Sequence, residues 1–470
     1  MLVEDGKKNG FSESNFEIPG HVNHISMVDL IASDVDKQKP PKQAMGEDFN
    51  LRTSQFATTD FGTFLSVLKS SLGSGILAMP NAFLNAGLFL GLVLSVIVGF
   101  ICSHCTYILV KSSQELCRKS GMHHYNYPET TQATFEYSMN GRFARYAQKA
   151  RTFNNMCILV VNYGAGVIYI ILAAETFKQV LENHIHTQFN IRWYVLVLSL
   201  PILPVSIIRR MKYMVPFSAM ANALILGGLL LVFYYIFKDP LPPIESRPMF
   251  AHFTRVPLAF ATILFGMEGV GVVLPIENSM KNPSNFLGWK GVFSRAMAFV
   301  ILLSLVTGAF GYIKYGDDVK GSISLNLPNT ILAEVIKVLV AVAIVCTYGL
   351  QIMAAAQVFW MYLESHVSKE YESVAYYGMR IAMVTGHIIA SIIVPQLAPV
   401  ISLIASVGLS ILGLALPALI ETITFWEDGG LGIGRWRLYK NIFLGLLAIF
   451  TLVTGTYTSM KDIIDAYTWS

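Results

Sequence analysis

The chain is a succession of apolar runs bounded by charged residues, glycine or proline, beginning near Phe61, Leu88, Met156, Trp193, Val215, Val256, Gly291, Ile331, Ala375, Val400 and Ile442. About 20 apolar residues of helix cross a bilayer's hydrocarbon core, so each run predicts a spanning helix. The expected fold class is therefore an all-α polytopic membrane protein with eleven transmembrane helices. The fourth run is short, carries Pro201 and Pro204, and stops at Arg209, Arg210 and Lys212, which are too charged for hydrocarbon. Residues 1–60 are polar and of mixed charge, with no apolar stretch typical of a cleavable signal peptide. They read as a disordered cytosolic tail, so the first run acts as its own insertion signal.

Composition agrees with the pattern. Of 470 residues, 54% are hydrophobic and 14% charged, against roughly 25% charged in soluble domains. The net charge of +4 is too small to imply a nucleic-acid partner, and no basic run interleaved with aromatics occurs. The sidedness of the positive charge says more than its sum. The N-tail and every second connection after it hold 23 Lys and Arg, the opposite set holds 8, and Lys69, Arg295 and Lys337 fall inside runs. Cytoplasmic connections retain positive charge, which places the N-terminus in the cytosol and, with eleven spans, the C-terminus outside it.

Five cysteines, Cys102, Cys105, Cys117, Cys157 and Cys346, are mostly embedded in apolar runs and read as small buried hydrophobes. The Cys102/Cys105 spacing lacks a second pair or a histidine cluster to complete a metal site, so neither metal nor cofactor is expected. The connection from Ser112 to Asn155 carries Lys119, Arg142, Arg145, Lys149 and Arg151 among Phe135, Tyr137, Phe143 and Tyr146. That mixture suits a helix lying on the anionic cytosolic leaflet, with a plain solvated loop as the alternative. No glycosylation acceptor is present, because Asn282 is followed by Pro283.

Two runs are interrupted in the same way. Gly73-Ser74-Gly75-Ile76-Leu77-Ala78-Met79-Pro80 lies in the first and Gly269-Val270-Gly271-Val272-Val273-Leu274-Pro275 in the sixth, with the glycine pairs 196 residues apart. Five spans separate them, so the two runs cross in opposite directions and 61–237 and 256–422 become candidate inverted repeats, with a further helix at 442–457. Glycine- or proline-broken helices at matching positions of two halves point to a transporter's midplane substrate site. Where a helix unwinds, freed N–H groups suit a carboxylate and freed C=O groups an ammonium, so a zwitterion satisfies both. Close helix packing is the plainer reading of such glycines. Lys69, Ser70, Ser71 and Ser74 beside the first break and Glu268 beside the second favour the site. An ionisable residue within a span is a functional candidate because its desolvation must be offset.

At this point Lys69 to Gly87, Glu268 to Lys281, Gly321 to Asn329 and Thr347 to Gln351 together resemble the proton-coupled amino-acid transporters of the amino acid/auxin permease group, in register from about Phe61 to Tyr457. The resemblance implies a LeuT-type fold of five plus five inverted helices with a peripheral eleventh, and transport of small neutral amino acids. It implies carboxylate contacts at Ser71, Gly73, Ser74 and Gly75, and contacts to the amine and side chain at Phe265, Gly266, Met267, Glu268 and Gly269. Asn162, Tyr163, Tyr348 and Gln351 would form the remaining walls, or else hydrogen-bond between helices.

Three positions depart from that family. Ser66 stands where its mammalian members carry a histidine implicated in proton coupling, and a hydroxyl cannot titrate near neutrality. Glu268 is then the coupling candidate, and transport is either proton-coupled or facilitative. The extracellular disulfide typical of those members has no cysteine here, its positions falling in 183–192 and at Thr330. Gly266 and Met267 replace the family's Ser and Phe before the glutamate, which predicts a larger or softer pocket. Of the other charges, Lys69 and Arg295 are expected to pair with carboxylates such as Glu268 or Glu277 or to snorkel, Glu334 and Lys337 to form a local i, i+3 pair, and His387 to be a satisfied packing residue. The reading is a secondary transporter in the plasma membrane or a lysosomal membrane, with an amino acid, protons and the lipid bilayer as partners. An amino-acid-sensing receptor on the same fold is the second reading. An enzyme is not expected, since no catalytic cluster, nucleophile elbow or phosphate loop is found.

Overall fold

Every apolar run falls on or beside a helix. The computed structural model describes residues 58–71, 74–138, 143–185, 187–208, 214–267, 269–426 and 430–468. The polar N-terminal segment to residue 57, Gly73 and Glu268 lie outside the described residues, as does the side chain of Ser74. The helices are α1 (Asp60–Ser71), α2 (Met79–Ala86), α3 (Leu88–Ser120), α4 (Tyr127–Tyr137), α5 (Ala147–Ile185), α6 (Ile191–Ile207), α7 (Met214–Lys238), α8 (Val256–Met267), α9 (Val270–Asn278), α10 (Val292–Tyr315), α11 (Ile331–Leu363), α12 (Glu372–Ile393), α13 (Leu397–Ile404), α14 (Leu416–Thr424), α15 (Trp436–Phe450) and α16 (Thr456–Thr468). Among the described residues, seven continuous helical stretches are long and apolar enough to cross a bilayer, and α1 with the helical turn leading into α2 passes the same test as a pair bent by 46°. Two shorter apolar helices, Ile191–Ile207 and Ala223–Lys238, accompany them.

Several boundaries move. The connection expected from Ser112 to Asn155 is mostly helix, because α3 runs on to Ser120 and α5 already begins at Ala147. Between them α4, opened by an Asn126–Glu129 capping box, buries Tyr127, Thr130, Thr131, Ala133 and Thr134. Its small polar face is therefore packed under the bundle rather than simply laid on a leaflet. The last helical stretch extends over 433–468, well beyond the expected 442–457.

The core joins Phe83 of α2, Ile171 of α5, Leu264 of α8 and Ile344 of α11 in one buried cluster. Glycines set the closest approaches. A Cβ on Gly91 or Gly308 would overlap the Phe83 ring, and one on Gly164 would overlap Ile404. Between α13 and α14 the helix widens into a π stretch, Ala405–Ala415, whose i→i+5 bonding displaces carbonyls from their usual donors. One of these, Leu412 O, accepts a 2.6 Å hydrogen bond from the buried Tyr127 hydroxyl of α4. The peripheral helix is attached by a buried ion pair, Lys440 Nζ to Glu421 Oε2 at 2.6 Å, with His104 Nε2 of α3 at 2.8 Å from the same ammonium. All five cysteines are buried, and none is in a disulfide.

Candidate substrate site

Local chemistry explains both breaks. Pro80 at the start of α2 has no N–H, so the last turn before it tightens into the 3-10 segment Ser74–Ala78 instead of continuing α1. In the second break α8 ends at Met267, and Gly269 (φ −142°, ψ 15°) is non-helical before α9 starts. Pro275 inside α9 then leaves the carbonyl of Gly271 without its helical donor.

The two breaks face each other. A Cβ on Gly75 would lie 2.7 Å from Gly266 Cα and 2.8 Å from Phe265 O, so only glycine permits this backbone contact. One on Gly266 would meet Met79 Sδ at 3.0 Å and Gly75 O at 3.1 Å, and one on Gly269 would meet Ser71 Oγ at 3.1 Å. Two antiparallel helices thus unwind at one depth and touch there. Next to the contact, Ser71, Thr106, Gly269, Val273, Phe293 and Met297 line a cavity of about 10 Å³, room for one water centre. That space is too small for an amino acid. Thr106, Phe293 and Met297 had no signal in the sequence, since each sits in an ordinary apolar run.

Of the expected site residues, Ser71, Gly75, Phe265, Gly266, Met267 and Gly269 gather at the breaks. Gly271 differs from its repeat partner Gly75, facing open space with nothing within 4 Å of a Cβ. Met267 contributes backbone there, and its thioether packs toward Gly99 of α3. Asn162 and Gln351 are half-buried on α5 and α11. Tyr163 and Tyr348 face α12. The Tyr163 hydroxyl donates to Met383 O at 3.2 Å and its ring lies 3.9 Å from that of His387, while the Tyr348 hydroxyl is 2.9 Å from His387 Nδ1. Gly166 and Gly386 leave the space for these rings, which knit α5, α11 and α12 together. His387 is only half satisfied, since its Nε2 is buried without a hydrogen-bond partner.

The other charges also need revision. Arg380, counted above with a cytosolic connection, is 1% exposed within α12, donates from Nη1 to Ile208 O at 2.7 Å and lies over the Tyr376 ring. Glu334 does not form the expected local pair with Lys337. Its two oxygens take Asn183 Nδ2 and His184 Nε2 at the end of α5, the latter at 2.9 Å. This polar clamp joins the regions where the resembling family carries its disulfide. Arg295 donates to Gly291 O on its own helix, Glu277 accepts from Gln114 Nε2, and Lys69 is exposed. Ser66 donates to Gly62 O one turn back.

A helical bundle with two antiparallel broken helices in backbone contact has the construction of a LeuT-type secondary transporter. The comparison with solved structures agrees on the fold. Mhp1 in its inward-facing conformation aligns with a TM-score of 0.50 at 10% identity, covering 91% of this chain and 95% of that one. The family model for transmembrane amino acid transporter proteins matches residues 58–458, and the chain belongs to that family. It is a multi-pass membrane protein and a secondary amino-acid transporter. It is 34% identical over 472 residues to the proton-coupled amino acid transporter-like protein pathetic of Drosophila melanogaster, covering 99% of this chain and 98% of the relative. The probable amino acid transporter skat-1 of Caenorhabditis elegans is 24% identical, covering 86% and 90%.

Proposed function

We propose that the chain carries small neutral amino acids by alternating access, with the substrate zwitterion held between the two breaks. The observation that carries this reading is the backbone contact of Gly75 with Gly266 beside Ser71 and Gly269. The proposed carboxylate contacts are Ser71, at the end of α1, and Gly73, Ser74 and Gly75, in the stretch of chain that leads into α2 and its positive dipole end. The C-terminal end of α8, at Phe265, Gly266 and Met267, offers carbonyls to the ammonium. Residues 61–237 and 256–422 are read as the two repeats.

The geometry supports a rocking motion in which α1 and α9 move together. Thr58 donates its N–H to Ser279 O at 2.8 Å and accepts from Lys281 N at 3.0 Å, and Asn285 Nδ2 donates to Asp60 at 2.9 Å. These bonds tie the start of the first span to the end of the sixth. Glu268, between Met267 and Gly269, is the proposed coupling group, and its position beside the break is what supports that role. The proposed orientation has a cytosolic N-terminus and an extracytosolic C-terminus, in the plasma membrane or a lysosomal membrane.

The test is uptake of labelled glycine, alanine, proline and leucine into proteoliposomes at about pH 5.5 and 7.5, the range in which a coupling proton is felt. Uptake above protein-free vesicles is expected, rising at the lower pH, with Glu268→Gln flattening the rise. Indifference to pH would make transport facilitative. Uptake equal to that of empty vesicles for the whole panel would refute transport and leave the sensing receptor.

A further inference from the structure

A second cavity, of about 580 Å³, opens at the end of the bundle opposite the start of α1, between the end of α5, the segment after α10 and the start of α11. Its lining includes Gln179, Glu182, Asp318, Lys320, Asn326 and Lys337. Two groups in it lack what burial normally demands. Lys337 is 2% exposed, yet its i−3 neighbour Glu334 has both oxygens engaged by Asn183 and His184. No described carboxylate stands within 4 Å of Lys337; Glu334 acts on it only at longer range, and Lys320 opposes it with a second positive charge nearby. Gln179 Oε1 is buried without a donor. A buried ammonium without a close counter-ion and a buried acceptor without a donor are both costly, and a ligand carrying the complementary groups reduces both costs.

We propose that this cavity is a reception site for the zwitterionic backbone of an amino acid, distinct from the breaks of the first and sixth spans. Lys337 and Lys320 take the carboxylate. The Asp318 and Glu182 carboxylates at the rim take the ammonium, and Gln179 Oε1, enclosed in the wall of the empty cavity, turns outward to join them. The volume accommodates a small amino acid, and the walls are set before it arrives. Asn326 accepts from Lys320 N at 2.9 Å and donates to Asp318 O at 2.7 Å, which fixes the loop on one side. The Glu334 clamp fixes the ends of α5 and α11 on the other. A ligand bearing only one charge satisfies half of the site, which predicts selection for the free amino acid over an amine or a carboxylic acid. The proposal rests on the amino-acid transporter reading for its choice of ligand.

The experiment is equilibrium binding of tritiated alanine and leucine to the purified full chain at low salt, alongside uptake in proteoliposomes. Lys337→Gln and Lys320→Gln should each raise the half-saturating concentration roughly three- to tenfold, Lys337→Arg should stay near wild type, and added salt should shrink the difference. Lys320 lies on a loop, so its variant keeps the test valid should Lys337→Gln misfold. In a Gly75→Ala background, which disables the site at the central breaks, saturable binding should remain and should still weaken with Lys337→Gln or Lys320→Gln. Binding lost in Gly75→Ala but unchanged in both lysine variants would overturn the proposal, and so would the absence of saturable binding in the wild type. Uptake no greater than in protein-free vesicles, with lysine-dependent binding retained, would overturn the transport reading while supporting the site.

Discussion

Replacing Gly75 by alanine tests whether backbone contact between the two breaks is the working part of the molecule. The new Cβ would lie 2.7 Å from Gly266 Cα and 2.8 Å from Phe265 O, where ordinary contact begins at 3.4 Å. Both neighbours are backbone, so no side chain can swing aside, and the half-helices must part by about 0.7 Å or more. Overpacking of this kind costs roughly 1–3 kcal/mol. Here the cost falls on the conformation in which the breaks touch, so the equilibrium between touching and separated states shifts by roughly 5–150-fold. The expected result is an uptake rate lowered at least about fivefold, with protein in the vesicle membrane undiminished. Gly271→Ala is the internal control. It alters the other glycine of the repeated motif at a place where a Cβ meets nothing within 4 Å, and uptake should stay within about twofold of wild type. If the two variants behave alike, the contact is incidental and the reasoning fails.

Two further outcomes follow from buried polar groups. Lys440→Met or Glu421→Gln should each lower the melting temperature in detergent sharply, since breaking a buried pair costs about 3–5 kcal/mol by stranding one charge. The Lys440→Met/Glu421→Gln double variant should recover most of the loss; no recovery would mean that the pair is not coupled as described. Tyr127→Phe removes the donor to Leu412 O and should destabilise by about 1–2 kcal/mol, lowering the melting temperature without changing half-saturation for uptake. A change in half-saturation at unaltered stability would place the π stretch in the transport path instead.

How much of this was legible in sequence depends on the distance over which each feature is determined. The broken helices were legible because glycine and proline act within one turn, and the repeat made chance placement implausible. Which glycines touch was not, since Gly75 meets Gly266 rather than Gly271, a pairing set by the relative depth of two helices. Tyr163 and Tyr348 looked like pocket walls because hydroxyls within spans need partners. Only the packing showed that α12 supplies those partners through His387 and Met383. Glu334 and Lys337 have the spacing of a local pair, and the end of α5 outcompeted it with an amide and an imidazole. Lys337 is thereby left as a buried cation facing a cavity, which no local pattern announces.

By itself, then, the sequence determined what the bilayer enforces. Backbone groups in hydrocarbon must bond within a helix, so apolar length dictates the spans, charge asymmetry their expected direction, and glycine with proline the places where the rule is broken. The tertiary structure decided what depends on the registration of one helix against another: which backbones touch, which carbonyl of the π stretch receives Tyr127, and which charges lose their neighbours. Those contacts join residues more than 100 positions apart, such as Gly75 with Gly266 and Tyr127 with Leu412. Their energies depend on shifts of less than an ångström, which a hydrophobic pattern does not encode.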